Sequence, residues 1–175
     1  MPTTHSDVEI IGSGDYEYKE GVVASGATVY PGMIVEVTGE NSDYEETPQV
    51  QPVSSVEKIG ESFRVALTPD TPPKGDDTDI PRQHEYTEGE HIQYAVVQPG
   101  AIVQNALLAD GNDLSTASDA NISYDDALGT NDDGSLQITT AGGSVLCRAR
   151  EANDNSGGAG SEGTGSMARI NVEVV

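Results

Sequence analysis

The side chains able to do chemistry are few and scattered. Three histidines, His5, His84 and His91, are candidates for proton transfer near neutral pH. A general base needs a nucleophile within hydrogen-bond reach, and no serine or cysteine has a histidine at a suggestive spacing. The Gly-x-Ser-x-Gly pattern of a nucleophile elbow does not occur. His84 and His91 bracket an acidic turn and read as solvated turn residues. Cys147 lies in the apolar run Val145-Leu146-Cys147 and reads as a small buried hydrophobe. Three turns are rich in oxygen: Asp76-Asp77-Thr78-Asp79, Asp110-Gly111-Asn112-Asp113 and Asn131-Asp132-Asp133-Gly134. A hard cation requires six to eight oxygens, and none of these turns has the calcium-loop spacing with its closing glutamate. Weak sodium or potassium association at the acidic loops is the favoured reading, with a structural cation at one of them as the alternative. Gly157-Gly158-Ala159-Gly160 lacks the lysine of a phosphate-binding loop. We therefore expect no catalytic, cofactor-binding or metal-ligating residue, and no enzymatic activity.

Composition points the same way. Of 175 residues, 35% are hydrophobic and 5% aromatic, with no Trp. A core must then be built from Val, Ile, Leu and Ala, and a thin core is often completed by neighbouring subunits. Thirty acids face eight bases, for a formal charge of -22. The acids are dispersed along the whole chain, which gives strong self-repulsion at low salt. Such repulsion is tolerable where the Debye length falls to about 3 Å, near 1 M salt. Scattered acids and only three lysines (Lys19, Lys58, Lys74) suggest a halophilic source. The absence of a basic patch argues against direct nucleic-acid binding. One cysteine excludes an internal disulfide. No apolar run reaches the length of a membrane span, and MPTTHSDVEI has neither the basic nor the apolar region of a leader, so no membrane association is expected.

The elements that must position these residues read as short strands. The longest apolar-bearing unit is Tyr86 to Gly111, with His91 to Val97 and Ala101 to Leu108 as two strands around Pro99-Gly100. Pro31-Gly32 fits the centre of a type II turn before a strand from Met33 to Val37. Pro48 to Ser55 alternates as a strand that Pro52 should place at an edge. Further strands are expected at Ser62 to Leu67, Leu136 to Thr139 after the hairpin signal Asp133-Gly134, and Ala168 to Val174; Ser144 to Arg150 reads as helix or strand, with strand favoured by the preceding Gly142-Gly143 and the short apolar run. Residues 70–83 read as a loop, 113–134 as a loose polar region, and 153–166 as a flexible Gly-rich loop. Residues 1–20 read as an extended N-terminal arm, within which Val8 to Ile11 and Asp15 to Lys19 could each pair as strands. Residues 21–175 form a single β domain. The fold class is all-β: a small β-barrel or β-sandwich with long acidic loops.

Taken in order, these elements resemble the head decoration (capsid cement) proteins of tailed double-stranded DNA viruses. The resemblance rests on Ala27-x-x-x-Pro31-Gly32-Met33-Ile34-Val35-Glu36, on Arg64-Val65-Ala66-Leu67, and on Tyr86-Thr87-Glu88-Gly89-Glu90-His91-Ile92, which is similar to the family's Tyr-x-x-Gly-Asp-x-Val signature. It continues through Pro99-Gly100 and Leu107 to Gly111 as a following hairpin, a Gly-Ser-Leu strand near Gly134, a strand near Cys147 to Glu151, and Arg169 to Val174. Each motif alone is common; the order carries the resemblance. Glu90 departs from the family's Asp. With the acidic composition, the resemblance implies a virion protein of a virus of a halophilic archaeon. Such a protein binds the major capsid protein on the outer surface of an icosahedral shell, self-associates as a homotrimer, and stabilises the shell. The alternative is another virion component, such as a turret, tail or receptor-binding module.

Overall fold

The computed structural model describes residues 8–12, 15–40, 47–54, 63–69, 84–108, 121–130, 133–139, 144–154 and 169–175. Thirteen strands run through them, and the described residues contain no helix. They are β1 (Glu9–Gly12), β2 (Tyr16–Val23), β3 (Val35–Glu40), β4 (Pro48–Pro52), β5 (Phe63–Ala66), β6 (His91–Val97), β7 (Ala101–Leu107), β8 (Asn121–Ile122), β9 (Ala127–Thr130), β10 (Leu136–Ile138), β11 (Cys147–Ala149), β12 (Asn153–Asp154) and β13 (Arg169–Val174). A six-stranded sheet has the order β1-β7-β13-β11-β9-β10, a five-stranded sheet the order β3-β4-β2-β6-β5, and β12 pairs with β8 alone. The all-β expectation holds. Of its two forms the sandwich is correct: the sheets pack face to face and do not close into a barrel.

Alternation decides which face is buried. On β13, Ile170, Val172 and Val174 point into the core, while Arg169, Asn171 and Glu173 are half-buried on the other face. Between the sheets lies the main core, with Ile34, Val65, Val103, Leu128, Leu136, Cys147 and Val172 all fully buried. A second cluster covers the opposite face of the five-stranded sheet. There Val35, Val50, Ala66, Ile92 and Tyr94 pack under Val29, Met33 and Tyr86 from the connecting segments. The five-stranded sheet is thus buried on both faces over much of its area, which is how a chain with so few large side chains fills its interior.

The central unit departs from expectation. β6 belongs to the five-stranded sheet and β7 to the six-stranded one, so Pro99-Gly100 is not a hairpin turn. It is a crossover between sheets. The ends of β1 and β2 flank it: Gly12 pairs with Ala101 on one side and Tyr16 with Val97 on the other. The N–H of Gln98 donates to the carbonyl of Asp15 at 2.9 Å between them. An antiparallel ribbon therefore bends from one sheet into the other, with Gly12 (φ 101°) and Gly100 (φ 93°) supplying left-handed backbone at the bend.

Other differences are local. β1 and residues 16–20 of β2 are paired within the two sheets, and the division expected between residues 20 and 21 falls inside β2. Residues 1–7 lie outside the described set, as do 70–83 and 155–166. β4 is interior, between β3 and β2, yet its pairing with β2 covers only Gln49 and Val50. Pro52 lies beyond that pairing, where its missing N–H costs no ladder bond. The loose polar region contains β8 and β9. Leu128 is fully buried, and β9 forms with β10 the hairpin that Asp133-Gly134 signals.

Candidate functional site

Two segments singled out by sequence, Pro31-Gly32 and Tyr86 to Glu90, hold the fold together, and a third cluster lies on the outer face of the six-stranded sheet. The first is the seam Pro31-Gly32-Met33-Ile34. Pro31-Gly32 is a turn closed by the Met33 N–H donating to the Tyr30 carbonyl at 3.1 Å, and Gly32 has φ 89°, as a type II turn requires. From this turn the chain bonds alternately to both sheets. Gly32 N–H donates to Ala66 of β5 at 2.8 Å, and the Gly32 carbonyl accepts from Leu107 of β7 at 2.9 Å. Ile34 N–H donates to the Gly134 carbonyl of the β9–β10 hairpin at 2.7 Å, and the Ile34 carbonyl accepts from Val53 at 3.1 Å. Sheets in a sandwich ordinarily meet through side chains alone; here a four-residue segment joins them by main-chain bonds. A side chain at Gly32 would place its Cβ 2.6 Å from the Asn105 carbonyl oxygen and 2.6 Å from Arg169 Nη1.

Arg169 and Asn105 complete the seam. β7 carries a bulge: Ile170 pairs with Ala106 and Val172 with Val103, so Gln104 and Asn105 together oppose Asn171. Asn105 sits in the left-handed region, φ 59°. Its N–H donates to Asn171 Oδ1 at 3.1 Å, and its carbonyl accepts from Arg169 Nη1 at 2.9 Å. Arg169 Nη1 also donates to the Pro31 carbonyl at 2.6 Å. Sequence reasoning did not single out Asn105, Asn171 or Arg169 for this role. Its one signal is that Asn tolerates positive φ better than other non-glycine residues.

The second place is the signature turn. Glu90 accepts from both the N–H and the hydroxyl of Thr87, and its own N–H donates to the Thr87 carbonyl at 3.0 Å. This is the local capping for which an acid four residues after Tyr86 is suited. Gly89 takes φ 83°. Tyr86 exchanges two main-chain bonds with Val29 and donates its buried hydroxyl to the Leu67 carbonyl at 3.1 Å. Glu88 accepts from the Ser25 hydroxyl at 2.8 Å and the Gly26 N–H at 2.9 Å. The Gly26 and Ser25 donors hold its carboxyl below the usual range. Burial raises the Tyr30 phenol, with the nearby Glu85 carboxylate adding to the shift.

His84 stacks edge-on against Tyr86, ring centres 4.6 Å apart, with its Nε2 3.9 Å from Glu90 Oε1. His91 opens β6 opposite Val22. The contacts of His84 run to Tyr86 and Glu90. Among the described residues, no three His, Cys, Asp or Glu side chains converge as metal ligands would. Of the oxygen-rich turns, only Asp133-Gly134 is described, and there Asp133 Oδ1 accepts from the Ser135 N–H at 2.9 Å and from its hydroxyl. Cys147 is fully buried, and burial alone pushes its thiol far above the ordinary range. His5, Lys58, Lys74, 76–79 and 110–113 lie outside the described residues.

The third place is the outer face of the six-stranded sheet. Arg150 donates from Nε to Glu173 Oε2 at 2.8 Å and again from Nη2. Its Cζ lies 5.6 Å from the Tyr124 ring centre, and its Nη1 is 3.5 Å from Asp125 Oδ1. The Glu173 bonds raise the guanidinium above even its ordinary range. Arg148 donates to the Asp125 carbonyl at 3.0 Å.

No protein-family model matches this sequence, and no curated protein matches it.

Proposed function

We propose that this chain is a non-enzymatic virion structural protein that decorates and stabilises the outer surface of an icosahedral capsid. The observation that carries the reading is the ordered series of motifs, and the use the fold makes of them supports it. Pro31-Gly32 joins the two sheets, Tyr86 to Glu90 laces the second cluster, and Pro99-Gly100 carries the ribbon across the corner. The shared residues are those that build the fold, as expected of a family defined by its scaffold rather than by a catalytic centre.

The mechanism is linkage. A protein that binds the assembled major capsid protein, and not the separated subunits, stabilises the assembly by RT ln(1 + [L]/Kd), about 2.7 kcal/mol at a hundredfold excess over Kd. Homotrimeric self-association multiplies each contact by symmetry. The acidic composition fits a virus of a halophilic archaeon, where salt screens both self-repulsion and the approach to a charged shell.

The test is to add the purified chain to capsids stripped of it, in molar salt. The expected result is saturable binding at symmetric positions on the outer surface by electron microscopy, with capsids that withstand heating better. Location at a tail or vertex structure would favour the turret, tail or receptor-binding alternative. Absence from purified virions would sink the proposal.

A further inference from the structure

We infer that the outer face of the six-stranded sheet is the surface on which a second copy of this chain docks. The inference deepens the self-association part of the proposed function. One row of side chains crosses this face in register: Ile11 opposite Ile102, Ile102 opposite Glu173, Glu173 opposite Arg148, and Arg148 opposite Ala127. Their chain neighbours Ile10, Val103, Val172, Val174, Cys147, Ala149 and Leu128 point into the core, so the row points outward. Ile11 is 40% exposed at one end, Tyr124 is 63% exposed beside Arg150, and Val175, following β13, is 51% exposed.

Charge decides where two such chains can meet. Copies carrying -22 each repel over most of their surface. On this face the carboxylates Asp125 and Glu173 are engaged by Arg148 and Arg150, which lowers the repulsion at the β11–β13 end of the row. Exposed aliphatic, tyrosine and arginine side chains together are the composition of an interface centre. Arg148 is also underused. Its side chain is 43% exposed, and its contacts among the described residues run through Nη1 alone, to the carbonyl and carboxylate of Asp125. Its remaining donors suit a carboxylate of the incoming copy, and the rest of the chain is an abundant source of them. Arg148 of one copy meeting a carboxylate elsewhere on the next is a head-to-tail contact, the kind that closes a ring of three.

The experiment is sedimentation equilibrium of the full chain in molar salt, with Arg148→Glu and Ile11→Glu as variants at separate points of the row. The wild type should form an oligomer, and each variant should associate about ten-fold more weakly or less tightly still, with an unchanged β-sheet circular dichroism spectrum. Ile11 is exposed on an edge strand, so its variant keeps the test valid if Arg148→Glu fails to fold. A wild type that stays monomeric, or variants that associate as it does, would overturn the inference. So would variants that associate normally but no longer bind stripped capsids, which would assign the face to the shell. Weakened association in a chain that binds no capsid would uphold the inference while defeating the decoration reading.

Discussion

The guanidinium of Arg169, in the last strand, donates through Nη1 to the main-chain carbonyl of Asn105 at 2.9 Å. Asn105 is the bulged residue of β7, held at positive φ, and both of its main-chain polar groups are satisfied by side chains of β13. The bulge turns that carbonyl toward the Pro31-Gly32 turn, where Arg169 also reaches the Pro31 oxygen. The junction of the two sheets is therefore reinforced, beyond its main-chain bonds, by one arginine of β13. Removing it leaves two half-buried carbonyls without this donor, a loss of about 1–3 kcal/mol. Arg169→Ala should lower the denaturation midpoint accordingly, and Arg169→Lys should recover only part, because an ammonium is a point donor on a different stem.

Gly32 and Gly26 separate two reasons for glycine. Both have positive φ, 89° and 74°, so an alanine at either should cost about 1 kcal/mol for backbone strain. A methyl on Gly26 would meet nothing within 4 Å, whereas at Gly32 the same carbon would sit 2.6 Å from the Asn105 oxygen and 2.9 Å from the Leu107 nitrogen. These are backbone atoms and cannot swing away. Urea denaturation should find Gly26→Ala mildly destabilised and Gly32→Ala destabilised by several-fold more. Equal losses would show that the seam is not tightly packed.

Glu88 gives a pH dependence with a definite sign. Its carboxyl is held below the ordinary range by the Gly26 N–H and then by the Ser25 hydroxyl. A carboxyl with a lowered folded pKa contributes stability above its unfolded value, about 4.3, and loses it as pH falls through the folded value. Glu88→Gln should therefore lower the melting temperature at pH 7, and the difference from wild type should shrink as pH falls below about 4.3 and vanish only below the lower folded value. A difference that persists unchanged at low pH would assign the effect to packing.

Cys147 should be chemically silent in the folded protein. It is fully buried, and burial strongly raises its thiol pKa, so the reactive thiolate is suppressed. Alkylation by iodoacetamide is expected to follow global unfolding, with no reaction under native conditions. Cys147→Ser should destabilise by about 1–3 kcal/mol, because it buries a hydroxyl among Leu128, Val172 and Val174.

The acidic composition carries a prediction of its own. If the -22 charge is an adaptation to salt, folding should weaken as salt falls below roughly 1 M, where screening lengthens toward 10 Å at 0.1 M. Circular dichroism during stepwise dialysis measures this. Full structure retained in dilute buffer would mark the chain as an acidic surface protein without halophilic dependence.

Much of the strand content was legible because it is a local property. The alternation of Ile170, Val172 and Val174 against Arg169, Asn171 and Glu173 fixes both strand and buried face. The type II turn at Pro31-Gly32 follows from ring-locked φ at one residue and freedom at the next. Pro99-Gly100 shows where the same reasoning stopped short. Reading it as a hairpin ignored that tight hairpin turns need positive φ at the first central residue, which proline forbids. The signal was present: a Pro-Gly pair favours the type II turn, whose twist suits a crossover better than a hairpin. The β9 strand was missed because Ala127-Leu128-Gly129-Thr130 offers one large apolar residue, and its identity as a strand comes from pairing with β10 and β11. The candidate site was less legible still. Glu90 capping Thr87 could be suspected from spacing, but the convergence of residues 31, 105 and 169 could not.

By itself, then, the sequence determined an all-β chain, its principal strands, its left-handed glycine turns and an acidity that bears on every encounter with a partner. Each of these depends on neighbours a few residues apart or on composition. Only the tertiary structure decided that the chain forms a sandwich, that β6 and β7 lie in different sheets, and that a bulged asparagine and a terminal-strand arginine close the seam. Those outcomes depend on contacts between residues more than sixty positions apart, such as Asn105 with Arg169 and with Asn171. No local pattern encodes such pairs, because their energy exists only once both sheets have formed and the backbone groups between them must find partners.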